Sequence, residues 1–216
     1  MLIVFDLDGT LIDSIGDLVT AVNRLVTERG GRTLSHAEVA GMVGEGASLL
    51  IDRAFSAAGV AGDAVLALPR FLEIYDGVLP GTTRPYPGVP ETIDALAGVA
   101  PMAVLTNKPT GASRKILAQC GLERHFCEVI GGDGPWRRKP DPEGLLYLVS
   151  AAGATPGETW MVGDSMVDLR TAHAAGTRAC LVRYGFGFAT FDAGLLRGGE
   201  AFVDHPLELV DLVQKA

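Results

Sequence analysis

The sequence predicts an α/β fold: a doubly wound, Rossmann-like parallel sheet with a helical cap domain inserted after the first strand. Short unbroken apolar runs recur at Leu2–Phe5, Met102–Leu105, Val129–Ile130, Trp160–Val162 and Ala179–Val182. A run that is apolar at every position suits a parallel strand covered on both faces. Each of the last four runs follows a helix-length segment and a turn, the rhythm of a doubly wound sheet. Between Asp13 and Arg84 that rhythm stops, and only helical spacing remains.

The elements follow in order. Leu2–Phe5 is the first strand. Ile15, Leu18, Val19, Val22, Leu25 and Val26 then recur at helical spacing, and Gly30 and Gly31 stop that helix. Ser35 and Glu38 stand in capping-box positions at the head of "SHAEVAGM". "ASLLIDRAFSAAG" and "DAVLALPRFLEIYDGVL" read as two further helices, the second with Pro69 as a point of kinking. The Pro- and Gly-rich "LPGTTRPYPGVP" returns the chain to the sheet. The expected division is a core of 1–13 and 84–216 and a helical cap of 14–83. Three strands end in polar sequence, "FDLDGT", "LTNK" and "MVGDS". Ligands of open α/β sheets lie outside the carboxyl ends of the strands, so these ends converge on one crevice.

Composition narrows the function. The 216 residues, 48% hydrophobic and 20% charged, suffice for one sizeable core, alone or with a small satellite. A net charge of −8 argues against nucleic acid or an anionic membrane as the main partner. Cys120, Cys127 and Cys180 are odd in number and lack CxxC spacing, which suits reduced thiols in a cytoplasmic protein. The opening "MLIVFDLDG" has no basic leader and reaches Asp6 after four apolar residues, so neither a secretory signal nor a membrane span is expected.

"LIVFDLDGTLIDS" sets Asp6 and Asp8 two positions apart after an apolar run. Asp and Gly commonly close strands, but two carboxylates on one face repel and raise each other's pKa. The pair therefore needs a cation or a task in proton transfer. The four histidines are scattered, and Trp136 and Trp160 read as packing residues. "GFGF" at 185–188 reads as a loop, since no helix follows at nucleotide-binding spacing.

"FDLDGTLIDS", "LTNK", "RRKPDP" and "VGDSMVD", in that order, resemble the four signature segments of the haloacid dehalogenase superfamily, and the match spans nearly the whole chain. "MVGEGASLLI" and "TNKPTGASRKILAQCGL" followed by "VIGGDGPWRRKPDPEGL" resemble its phosphoglycolate phosphatase group. The resemblance implies that Asp6 is a nucleophile forming an aspartyl-phosphate. It implies that Asp8 protonates the leaving alkoxide and then deprotonates water. Gly9 turns the chain past the site and Thr10 supports the turn. Asp164 joins Asp6 and the Asp8 carbonyl around Mg²⁺, whose hard oxygen ligands these are. Asp168 stands behind them, holding ligand waters or Lys139, and Ser165 caps the helix. Thr106 and Asn107 offer a hydroxyl and backbone N–H groups to the phosphoryl oxygens. The spacing before "PDP" selects Lys139, rather than Arg137 or Arg138, as the cation beside the carboxylates. Lys108 is either an additional substrate contact or a surface lysine.

Asp8 disfavours a dehalogenase, which needs no leaving-group acid. The absence of Lys between Asp13 and Arg84 disfavours a phosphonate hydrolase and weakens a phosphomutase. The expectation is hydrolysis of a small phosphorylated metabolite, 2-phosphoglycolate first, with the backbone near Gly44, Glu45, Gly46 and Ala47 meeting its carboxylate at a helix N-terminus. A sugar-phosphate phosphatase or phosphomutase, a pyrophosphatase, and a non-catalytic binding protein are the alternatives. Monomer and homodimer are both compatible with the sequence.

Overall fold

The computed structural model describes residues 1–215. Its strands are β1 (Leu2–Phe5), β2 (Ile12–Asp13), β3 (Arg84–Pro85), β4 (Met102–Leu105), β5 (Phe126–Ile130), β6 (Thr159–Gly163), β7 (Arg178–Val182) and β8 (Ala201–Val203). Six of them form a parallel sheet in the order β5-β4-β1-β6-β7-β8. All five apolar runs read from the sequence are strands of this sheet. Alternate residues of β1 feed different cores: Ile3 and Phe5 pack on one face, Leu2 and Val4 on the other. That two-sided burial is why the run is apolar at every position. Each such side chain contributes roughly 1.5–3 kcal/mol relative to exposure.

The insertion holds α1 (Ile15–Glu28), α2 (His36–Ala40), α3 (Ala47–Ala58) and α4 (Ala64–Val78). The buried stripe of α1 includes Leu18, Val19, Val22, Leu25 and Val26, the residues whose spacing predicts it. The Ser35–Glu38 capping box forms as expected. α4 runs through Pro69 as a single helix. The residue four positions earlier, Val65, is exposed, so its carbonyl can turn to water instead of the missing N–H. The chain enters and leaves the insertion through an antiparallel ribbon, Ile12 opposite Pro85 and Asp13 opposite Arg84. Asp17 ties the same two passages together, accepting from the backbone N–H and the hydroxyl of both Thr82 and Thr83.

The remaining helices are α5 (Val89–Leu96), α6 (Thr110–Gln119), α7 (Glu143–Ala151), α8 (Met166–Ala175) and α9 (Glu208–Gln214). Among the described residues no helix is long and apolar enough to cross a membrane.

Candidate active site

β1 and β6 are neighbours, with Phe5 opposite Val162. The sheet grows from β1 through β4 to β5 on one side, then from β6 through β7 to β8 on the other. The strand order therefore reverses between β1 and β6, where a crevice opens at the carboxyl ends. Asp6 extends β1, its N–H donating to Val162 O at 2.8 Å, and Asp164 directly follows β6.

Three glycines wrap the Asp164 carboxylate. Gly9 turns at φ +85°, and a Cβ there would collide with Asp164, so the position needs glycine for conformation and for space. A Cβ at Gly185 would collide with Asp164 and with Gly9 O, and one at Gly187 would come within 2.8 Å of Asp164 Oδ2. Gly187 N–H donates to that oxygen at 2.7 Å. "GFGF", read from the sequence as a plain loop, is thus part of the site, and its Phe186 lines the cavity. β7 delivers the loop, a relationship with no short-range signal in the sequence.

Lys139 Nζ is buried, 2.9 Å from Asp6 Oδ1 and 2.6 Å from Asp168 Oδ1. The other oxygen of Asp168 accepts from the Ser165 hydroxyl (2.6 Å) and N–H (3.1 Å), closing a capping box at the start of α8. Both Asp168 oxygens are therefore committed. Asp8 faces the opposite way. It accepts from Ser14 Oγ at 2.5 Å and lies 3.0 and 3.1 Å from Lys108 Nζ. Lys108 is buried, donates to Tyr75 Oη at 2.6 Å, and stands 4.5 Å from the centre of the Tyr75 ring. Ser14 and Tyr75 escape the sequence reading. Ser14 looks like a helix cap, yet its hydroxyl makes no capping bond. Tyr75, four residues after Phe71 in α4, looks like packing.

Burial pushes the Asp6 carboxyl up to about 6, with Lys139 opposing the rise and Asp168 adding to it. Asp164 is driven well above the usual carboxylate range, first by burial and then by Asp168 and Asp6. Burial disfavours the charge on Lys139, but Asp168 and Asp6 outweigh it and raise its pKa. Oxygens of Asp6, Asp164 and Asp168 all lie within 4.8 Å of one another, and Asp6 Oδ1 is buried without an aligned hydrogen bond. Four carboxylates (Asp6, Asp8, Asp164, Asp168) face two ammoniums (Lys108, Lys139), two charges short of neutrality. An all-oxygen donor set with that deficit fits a hard divalent cation.

The other residues named from the sequence divide. Thr106, Asn107, Lys108, Gly44, Gly46 and Ser165 line the same cavity as Asp6, Asp8 and Asp164. Lys108 is not a surface lysine. The Asn107 amide donates to Gly44 O and to Lys139 O, each at 2.9 Å. Its two amide hydrogens thus brace the insertion against the Lys139 loop. Thr10 is buried with its hydroxyl unpaired, and its carbonyl accepts from Tyr184 Oη at 3.1 Å. The Glu45 carboxylate pairs with Arg53, and Glu45 is not among the residues lining the cavity, while its neighbours Gly44, Gly46 and Ala47 are. The apolar wall of the cavity, from the insertion, is Leu18, Val43, Leu50, Phe71 and Leu72. The cavity is small, about 60 Å³.

Residues 1–176 match the family described as haloacid dehalogenase-like hydrolase. A phosphoglycolate phosphatase from Cereibacter sphaeroides is 41% identical over 191 residues, 87% of each chain. One from Rhodospirillum rubrum is 40% identical over 193 residues, 85% of this chain and 80% of its own. Among solved structures, one described as a predicted phosphoglycolate phosphatase from Haemophilus somnus superposes with a TM-score of 0.90 at 32% identity, covering 99% of this chain and 97% of its own.

Proposed function

The chain belongs to the haloacid dehalogenase-like hydrolases, and on that premise we propose that it is a Mg²⁺-dependent phosphatase. Its substrate on this reading is 2-phosphoglycolate, released as glycolate and phosphate through an aspartyl-phosphate on Asp6. The observation that carries the reading is Asp6 itself: a buried carboxylate 2.9 Å from the Lys139 ammonium and within 4.8 Å of Asp164, lining the cavity between sheet and insertion. Residues 14–83 act as the cap that closes this cavity and limits what enters it.

The reaction runs in two displacements. An oxygen of Asp6 attacks phosphorus, the bond from phosphorus to the ester oxygen breaks, and Asp8 gives a proton to the departing alkoxide. Asp8 then takes a proton from water, whose oxygen attacks phosphorus. The bond to Asp6 breaks and phosphate leaves. Lys139 offsets charge on Asp6 and on the transferring group, and Asp168 holds Lys139 in place at 2.6 Å. Thr106, buried at the end of β4, offers its hydroxyl to the phosphoryl oxygens. Asp6, Asp164 and the Asp8 carbonyl would hold Mg²⁺, which when bound shields the phosphoryl charge from the attacking carboxylate.

The apolar insertion wall disfavours a sugar phosphate, whose hydroxyls would lose water without gaining partners. The test is phosphate release from 2-phosphoglycolate, glycerol phosphates and pyrophosphate, with Mg²⁺ and with chelator. The expected outcome is metal-dependent turnover favouring 2-phosphoglycolate, abolished in Asp6→Asn with folding retained. A flat profile discards the substrate, and an active Asp6→Asn discards the nucleophile.

A further inference from the structure

The insertion presents one polar side chain among the residues lining the cavity, Tyr75. Lys108 is the one cation among them. The two are joined, Lys108 Nζ donating to Tyr75 Oη at 2.6 Å with the ammonium 4.5 Å from the ring centre. Phe71 stacks on the Tyr75 ring at 5.9 Å between centroids, nearly parallel, so Tyr75 is held from the side as well as from its tip. An ammonium has three N–H donors. They go to Tyr75 and to the Asp8 carboxylate, whose oxygens lie at 3.0 and 3.1 Å, and a second carboxylate beside the ammonium would share them with Asp8. Tyr75 accepts from Lys108, and no described residue accepts the proton of its hydroxyl. The ammonium and the hydroxyl thus stand together on the cavity lining, beside the carboxylate that the proposed mechanism gives to the leaving group.

We propose that Lys108 and Tyr75 together receive a carboxylate carried by the leaving alcohol, and so select small phosphate monoesters with an anionic group close to the ester oxygen. Two donors side by side match the two oxygens of one carboxylate. Apolar side chains form the rest of the insertion wall, so within this cavity a second negative charge meets no other side-chain cation. The low-dielectric surroundings strengthen that attraction. Tyr75 has two tasks: its hydroxyl meets the carboxylate directly, and its oxygen holds the Lys108 ammonium at the leaving-group side. The inference rests on the phosphatase reading and assigns the residues that set its substrate preference.

The experiment compares 2-phosphoglycolate with ethyl phosphate, which replaces the carboxylate by a methyl group and leaves the phosphoryl end unchanged. The quantity read is the ratio of their kcat/KM values, because damage to Asp8 common to both substrates cancels in it. The wild-type protein is expected to favour 2-phosphoglycolate by more than about tenfold. Lys108→Met is expected to lower the ratio by at least about tenfold and Tyr75→Phe by about three- to tenfold. In both the loss falls mainly on KM for 2-phosphoglycolate, since the contact exists before and during the reaction. Lys108→Arg keeps the charge and retains part of the ratio. Should Lys108→Met fail to fold, Tyr75→Phe, which removes one oxygen, carries the test. A wild-type preference that survives unchanged in the folded variants overturns the inference and leaves the proposed function standing. A fall in Lys108→Met alone removes Tyr75 from it. A wild-type protein with no preference overturns the proposed substrate and this inference with it.

Discussion

Asp17→Asn tests whether the entrance to the insertion is held by one buried charge. Asp17 is 2% exposed in the first turn of α1. Oδ1 accepts from Thr82 N–H and hydroxyl at 2.7 and 2.8 Å, and Oδ2 from Thr83 N–H and hydroxyl at 3.1 and 2.7 Å. An amide keeps one oxygen for one threonine and turns an NH₂ toward the other. That threonine's hydroxyl can rotate to accept, but its backbone N–H loses its partner, at about 1–3 kcal/mol. The surviving bonds lose charge assistance, roughly half their strength. Together the substitution costs about 2–4 kcal/mol, which lowers Tm by about 5–15 °C in a chain of this size. Burial raises the Asp17 pKa, but the donors of Thr82 and Thr83 outweigh it and hold the carboxyl below its ordinary value. Its contribution is therefore complete above the unfolded value near 3.9 and is lost as pH falls through the folded value. Urea unfolding of both proteins at pH 7, 5 and 3.5 reads this directly. The gap between them should be full at pH 7 and 5 and narrow at pH 3.5. A gap under about 0.5 kcal/mol at pH 7, or one of equal size at pH 3.5, refutes the reasoning.

Two further substitutions probe the two sides of the catalytic cluster. Lys139→Met leaves the buried Asp6 and Asp168 without their shared cation. Loss of one partner of a buried pair costs about 3–5 kcal/mol, so denaturant unfolding should show a marked loss of stability and phosphate release should cease. Gly185→Ala drives a methyl group into Gly9 O and the Asp164 carboxylate. Displacement by about 1 Å at a catalytic group lowers turnover on the order of 10²-fold, while overpacking costs about 1–3 kcal/mol. Steady-state kinetics at saturating Mg²⁺ beside a thermal melt should show the activity loss far exceeding the stability loss.

The sheet was legible because burial on both faces leaves its mark on every residue of a strand. Met102–Leu105 is a strand with the bounds the apolar run gives. β2, β3 and β8 were not, since two or three residues carry no period and their pairing is decided by distant chain. Asp6, Asp8, Asp164 and Lys139 were legible because each stands just after a strand or in a Pro-stiffened loop, where a charge is conspicuous, and Asp168 because it follows Asp164 by one helical turn. Ser14, Tyr75 and Gly187 were not, because nothing in a helix start, a helical stripe or a glycine-rich loop says which strand end will face it. At the start of α3 the element was legible, with Gly46 as its N-cap, but the pairing of the neighbouring Glu45 carboxylate with Arg53 was not.

The separation of Asp6 from Asp8 follows from where the two lysines come from. Positions two apart on a strand share a face, and carboxylates sharing one cation would titrate as a unit. Here the strand ends at Phe5, and the Leu7 carbonyl gathers the N–H groups of Thr10, Leu11 and Ile12 into a tight turn. The two carboxylates then meet different cations, Lys139 from the loop after β5 and Lys108 from the end of β4. Lys139, Asp164 and Asp168 around Asp6 are carried by a loop after β5, the end of β6 and the first turn of α8. Asp8 has Ser14 and Lys108, and through Lys108 it has Tyr75 of the insertion. The insertion therefore meets the Asp8 side through Ser14 and Tyr75, and the Lys139 loop through the Asn107 amide. On the proposed mechanism, changes in α4 and in the loop before α3 would alter the alcohol accepted while the displacement at phosphorus stays the same.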